Sequence, residues 1–241
     1  MKHIICIYLA VCAAVGAAEP QIVLFKLDDV SRVYSNYERV ADFAIKEGIK
    51  INFGVFGSAL EKDDVLVAWA GKLKKTGSFE FWNHSYGGFG HSKENDGTGY
   101  ETQFKAINRS QELSLQHLGE AFIGFGPHDG GTDADTWKIL NDRPEIKLVW
   151  FCKPPAGITA KAFVVERRIN MEYPTTKMNK AKFIEDYEKS GKSLEYIALQ
   201  GHPNAWNDDM FQQFKDVALF LKQKGCRFMT MSEFLATRTK K

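Results

Sequence analysis

Short apolar runs alternate with longer amphipathic stretches along the chain from Gln21. IVLFKL, beginning at Ile22, predicts a first strand. SNYERVADFAIKEG predicts a helix with Ser35 or Asn36 as N-cap and Gly48 just past its end. KINFGVFG reads as a second strand, and DDVLVAWAGKLKKTG as a helix capped by Asp63, with lysines in its last turn and Gly77 closing it. SFEFWNHS gives a third strand. A glycine-rich loop, YGGFGHSKENDGTG, then leads into the helix YETQFKAINRSQELSLQHLG. AFIGFGP is a fourth strand, followed by a short helix capped by Thr132 or Asp133. IKLVWF and FVVERRI add two strands on either side of the loop CKPPAG. KMNKAKFIEDYEKSG is helical, YIALQGHP is a strand, DDMFQQFKDVALFLKQKG is a long helix, and RFMTMSEFL closes the pattern.

This alternation predicts a parallel sheet flanked by helices. About seven such units fit a (β/α) barrel better than an open sheet. No repeat, low-complexity tract or linker interrupts them, so residues 19–241 are expected to form one domain. In either architecture the reactive groups belong at the C-terminal ends of the strands.

Composition narrows the classes. The 241 residues are 44% hydrophobic and 26% charged, as in an ordinary globular protein, and the net charge is +2. Beyond the terminal TRTKK no basic block stands out, which leaves a nucleic-acid partner without support. At the N-terminus, Lys2 precedes an apolar stretch from Ile4 to about Val15 and the small residues Gly16-Ala17-Ala18. That is the layout of a secretory signal peptide over residues 1–18, too short for a membrane span. It predicts a secreted, periplasmic or cell-surface protein. LAVC, ending at Cys12, is a faint lipobox with Val11 where a small residue is wanted. Cys6 and Cys12 would leave with the peptide, and Cys152 and Cys226 are expected to be buried free thiols.

The polar residues at the predicted strand ends form a pattern of their own. Asp28 and Asp29 end the first strand, Asn83-His84-Ser85 the third, Pro127-His128-Asp129 the fourth, and His202 the last internal one. His91 lies in the glycine-rich loop, and His117 alone falls within a helix. Imidazoles and carboxylates converging on one barrel mouth suit a divalent metal, zinc or a similar first-row ion. Such an ion lowers the pKa of its bound water, an unligated carboxylate takes the proton, and a histidine protonates the leaving group. Asp29 as ligand, Asp28 as base and His202 as acid would give each residue one role.

In this order the motifs resemble the polysaccharide deacetylases of the NodB-homology type, over Ile22 to about Leu235. FKLDDV resembles that family's aromatic-x-Asp-Asp motif, NHSYGG its His-Ser/Thr-x-x-His motif, and IALQGHP its last, histidine-bearing motif. FGPHDG occupies the place of an Arg-Pro-Pro-x-Gly motif. The resemblance implies a NodB-like distorted (β/α) barrel that removes acetyl groups from N-acetylated sugars. It makes Asp28 the base, His202 the acid, Asp29 and His84 metal ligands, and Pro127, His128 and Asp129 neighbours of the substrate. Trp206, just past His202, is a candidate for a sugar subsite or a cover over the barrel mouth. The family's second metal histidine falls at Gly88, so the third ligand is expected from His91 or, failing that, His128. The arginine that holds the base falls at Gly126, which leaves Asp28 with no obvious partner. The principal expectation is a secreted metal-dependent carbohydrate N-deacetylase. The alternative is a non-catalytic carbohydrate-binding barrel. A two-carboxylate glycoside hydrolase ranks below both, because only Asp129 could partner Asp28.

Overall fold

The computed structural model describes residues 19–91 and 93–238. The expected signal peptide, with Cys6 and Cys12, lies outside the described residues. In chain order the first half comprises β1 (Ile22–Val30), α1 (Ser35–Glu47), β2 (Ile51–Val55), α2 (Gly57–Lys62), α3 (Asp64–Lys74), β3 (Phe79–Asn83) and α4 (Tyr100–Leu118). There follow β4 (Gly124–Phe125), α5 (Ala134–Asn141), β5 (Leu148–Trp150), β6 (Phe163–Val165) and α6 (Lys180–Lys189). The chain ends with β7 (Tyr196–Gly201), α7 (Asp208–Gln223), β8 (Arg227–Phe228) and α8 (Met231–Arg238).

The strands pair in the order β6-β5-β4-β3-β2-β1-β7, all parallel, with β8 added beside β1. This is the parallel (β/α) barrel that the alternation predicts, distorted as the resemblance implies. No ladder joins β6 to β7. Side chains cross that seam instead: Arg167 donates to Gln200, and Tyr196 approaches the backbone of Glu166.

Every residue of β1 is buried, as a central strand covered on both faces requires. Its period-two alternation sorts its side chains. Val23, Phe25 and Leu27 pack under the helices with Tyr37, Val40, Phe214 and Val217, while Ile22 and Leu24 join Trp82, Trp150 and Met231 inside the barrel. Helix α1 buries Tyr37, Val40, Ala41 and Ala44, the spacing of one helical face, and ends at Gly48 with φ 65°. Ser35 and Asn36 do not cap it. Tyr34 holds the N-cap position without a side-chain bond, and Asn36 donates to the carbonyls of Pro203 and Trp206, tying α1 to the loop after β7. Asp63 and Asp133 cap α3 and α5 as their sequences predict.

Trp82 fills the barrel interior because its neighbours leave room. A Cβ on Gly54 would lie 2.3 Å from the Trp82 ring, and one on Gly126 would lie 2.8 Å from it. Asn52 closes the floor, accepting from the Met231 amide and donating to the Phe25 carbonyl. Cys152 and Cys226 are both free, Cys152 buried as expected and Cys226 only half-buried, and among the described residues no helix is long and apolar enough to cross a membrane.

Gly54→Ala is expected to destabilise the protein by about 1–3 kcal/mol through overpacking against Trp82. Urea unfolding should show a lower midpoint with an unchanged slope.

Candidate functional site

Strict alternation along β1 would send Asp28 and Asp29 to opposite faces. Between Leu27 and Val30 the chain advances three residues while β2 advances two, from Phe53 to Val55, so β1 carries a bulge. Asp29 sits in it at φ 66°, and both carboxylates line one cleft of about 490 Å³ at the C-terminal end of the sheet. His84, His128 and His202 line it too, with Lys26, Arg167 and Gln200.

Asp28 is 1% exposed, and one of its oxygens is fully engaged. Oδ2 accepts from Lys26 Nζ at 2.5 Å and from Gln200 Nε2 at 2.5 Å, while Oδ1 is buried with no partner. Burial alone would raise the pKa of Asp28, but Lys26, His84 and His202 outweigh it and hold the carboxyl below its ordinary value. Burial lowers the pKa of Lys26 against the opposing pull of Asp28. The Lys26 ammonium also lies 4.5 Å from the Trp82 ring centroid, a cation–π contact. Lys26 thus supplies the partner that no residue at Gly126 provides. Lys26 precedes Asp28 by two residues on the same strand and so shares its face.

His202 is fixed from behind by Glu172. Its Nδ1 lies 2.6 Å from Glu172 Oε2, and its backbone amide donates to Oε1 at 2.9 Å. Trp206 Nε1 and the Thr176 amide complete four bonds to the same carboxylate. The other ring nitrogen, Nε2, faces Asp28 Oδ2 at 3.8 Å. Burial disfavours the imidazolium, yet the Glu172 hydrogen bond and the charges of Asp28, Glu172 and Asp29 leave the His202 pKa raised. Glu172 escaped sequence reading because it lies 30 residues from His202, in a connection between β6 and α6 with no periodic pattern. Trp206 is 4% exposed and packs on Phe214, so it serves as a support for Glu172 and not as a sugar platform.

On the opposite side, His84 Nδ1 lies 2.8 Å from the Gly126 carbonyl, which can only accept, so Nδ1 carries the hydrogen. Its Nε2 then faces Asp29 Oδ1 at 3.2 Å, and His128 Nε2 faces the same oxygen at 3.7 Å. His91 is exposed, folds back over Gly87, and does not line the cleft. The third position facing Asp29 and His84 is therefore occupied by His128, the second of the two expected candidates. Phe56 explains the exchange. Its ring stacks on His84 and meets His128 edge-on, and it stands 2.5 Å from where a Cβ on Gly88 would be. Ser85 steadies His128 by accepting from its backbone amide, and Asn95 donates to the same hydroxyl. Burial and then the neighbouring His84 lower the His128 pKa, which favours the neutral, ligating form.

Among the described residues no three His, Cys, Asp or Glu side chains are set closely enough to hold a metal ion as they stand. Asp29, His84 and His128 face one another across one carboxylate oxygen, and a carboxylate with two imidazoles is a donor set that fits a divalent ion. His84 Nε2 and Asp29 Oδ1 stand 3.2 Å apart, and ligands about 2.1 Å from one tetrahedral centre lie roughly 3.4 Å from each other. Pro127 and Asp129 also line the cleft, with Asp129 Oδ2 3.6 Å from His128 Nδ1. Cys152 lines it as well, but burial pushes its thiol up to about 12, which makes it a poor nucleophile.

No protein-family model matches the sequence, and no curated protein matches it. Solved structures do match. The carbohydrate esterase family 4 domain of a multidomain xylanase from the hindgut metagenome of Trinervitermes trinervoides superposes with a TM-score of 0.67 at 14% identity, covering 91% of this chain and 92% of that one. A family 4 acetyl xylan esterase from Clostridium thermocellum, solved with a cobalt ion, gives 0.66 at 15% identity, with 91% and 92% covered. A family 4 pseudoenzyme from Bacillus anthracis gives 0.64 at 12% identity, covering 89% of this chain and 65% of that one. The chain has the family 4 carbohydrate esterase fold, that of the NodB-like polysaccharide deacetylases. Within that fold, Asp28, Asp29, His84, His128 and His202 converge on one cleft, while His91 and Trp206 stand outside it.

Because the carboxylate of Glu172 raises the His202 pKa, Glu172→Gln is expected to lower it. An NMR titration of the His202 ring should show its midpoint moving to lower pH in the variant.

Proposed function

We propose that this chain is a metal-dependent hydrolase that removes acyl groups, most simply N-acetyl, from a carbohydrate outside the cytoplasm. The observation that carries this reading is the division of the two aspartates. Asp29 faces two imidazole nitrogens, whereas Asp28 is clamped through one oxygen and keeps the other free. The N-terminal leader pattern supports export, and the fold of the esterase neighbours supports the substrate class.

Asp29, His84 and His128 would hold the ion, zinc by the chemistry of the donor set. When bound, it polarises the acyl carbonyl and makes a water more acidic. The Asp28 carboxylate, which faces both His84 and His202, takes the proton of the attacking water, while Lys26 and Gln200 hold it so that it does not swing. His202 Nε2 delivers a proton to the departing amine, and Glu172 holds the imidazolium in orientation through Nδ1. The lowered Asp28 pKa and the raised His202 pKa set the base charged and the acid protonated over a common pH range.

A second reading is kept by one comparison: the Bacillus anthracis pseudoenzyme superposes nearly as well as the esterases, so the fold alone does not separate an active site from a silent one. Sugar binding that survives chelation, with no acetate released from any N- or O-acetylated glycan, would favour it.

Two experiments test the hydrolase. Plasma mass spectrometry after equilibration with zinc should find about one ion per chain, lost in Asp29→Ala, His84→Ala and His128→Ala and retained in His91→Ala. No stoichiometric metal in the wild type would end the metallohydrolase reading. Separately, Asp28→Asn should slow acetate release from an N-acetylated oligosaccharide by at least about 10²-fold while leaving metal content intact. Loss of metal in that variant would refute the assigned roles.

A further inference from the structure

The two walls of the cleft differ in charge. Asp129 follows β4 and lies near His128, whereas Arg167 stands two residues past the end of β6, across β5. Arg167 is exposed at the rim, with its guanidinium 4.7 Å from the Phe151 ring centroid. Its side-chain hydrogen bond goes to Gln200 Oε1, a neutral acceptor. The adjacent Arg168 pairs with Glu166, but Arg167 makes no ion pair among the described residues. Asp28 and Glu172 act on it only at longer range, and both are already committed: Asp28 to Lys26 and Gln200, Glu172 to His202, Trp206 and Thr176. Lys26 is buried and bound to Asp28 and offers nothing to a ligand.

A guanidinium presents five N–H donors in a planar fork that matches a carboxylate, and Gln200 uses one edge of it. Arg167 lines the cleft beside Phe151, with Thr175 and Thr176 in the same lining. A carboxylate reaching that rim would find a matching fork there, a contact that a neutral sugar cannot make.

We propose that Arg167 selects an acidic carbohydrate, in which a carboxylate is carried by the acylated sugar or by its immediate neighbour. This rests on the acyl-carbohydrate reading for the cleft, and binding tests it apart from turnover. Ligand-observed NMR titrations would compare chitotetraose, which is neutral, with a hyaluronan tetrasaccharide and with a disaccharide containing N-acetylmuramic acid. The hyaluronan carboxylate lies on the neighbouring ring, and that of muramic acid lies on the acylated ring. Wild type should bind one acidic ligand about tenfold more tightly than chitotetraose, and Arg167→Gln should bring that ratio close to one. Circular dichroism would confirm that the variant is folded. Whichever acidic ligand holds the preference locates the carboxylate.

A wild type without charge preference, or a preference that persists in Arg167→Gln, would overturn the assignment. So would an equal loss for acidic and neutral ligands, which would reduce Arg167 to a support for Gln200. Acetate release measured on the same ligands separates the two failures. Release without charge preference removes the Arg167 proposal and spares the hydrolase, whereas preference without release removes the hydrolase and spares the acidic ligand.

Discussion

A single ion pair inside the barrel, Lys26 with Asp28, sets the terms for everything at its mouth. Moving two charges out of water costs several kcal/mol per ion, and mutual attraction offsets this only when further partners complete the pair. Here Gln200 adds a second donor to Asp28, and the Trp82 ring lies beneath the ammonium. Trp82 keeps its place because Gly54, Gly124 and Gly126 leave the interior empty around it. The same Asp28 oxygen lies 3.9 Å from His84 Nε2 and 3.8 Å from His202 Nε2, so histidines from opposite sides of the cleft refer to one fixed carboxylate. Their spacing follows from a packing decision made deeper in the barrel.

Much of this was readable in the sequence, for a physical reason. A strand's last residues project into the barrel mouth wherever the strand lies in the sheet, so Asp28, His84, His128 and His202 could be gathered from strand ends alone. What escaped needed more than one element at once. Glu172 meets His202 only because the connection after β6 folds back beside β7. Trp206 looked like a rim aromatic, yet its indole N–H turns inward to that glutamate. The shared direction of Asp28 and Asp29 comes from a bulge, which alternation cannot express. Lys26 was hidden by its setting, a lone cation in an otherwise apolar run.

The choice between His91 and His128 shows the same limit. Proximity along the chain favoured His91, three residues past Gly88. In space, that loop carries His91 outward, while β4, paired directly beside β3, brings His128 alongside His84 at 5.4 Å between ring centroids. Neighbouring strands are a better guide to which side chains meet than neighbouring residues are.

Phe56 and Gly88 also restrict how such a site could change. Gly88 holds a left-handed backbone with φ 69°, and the Phe56 ring occupies the space its side chain would need. A histidine gained at Gly88 alone would meet both obstacles. A smaller residue gained first at Phe56 would strip the packing from His84 and His128. A side chain at Gly88 therefore needs two changes at once, a smaller residue at Phe56 and a loop that releases the left-handed backbone, so this corner of the cleft resists stepwise alteration.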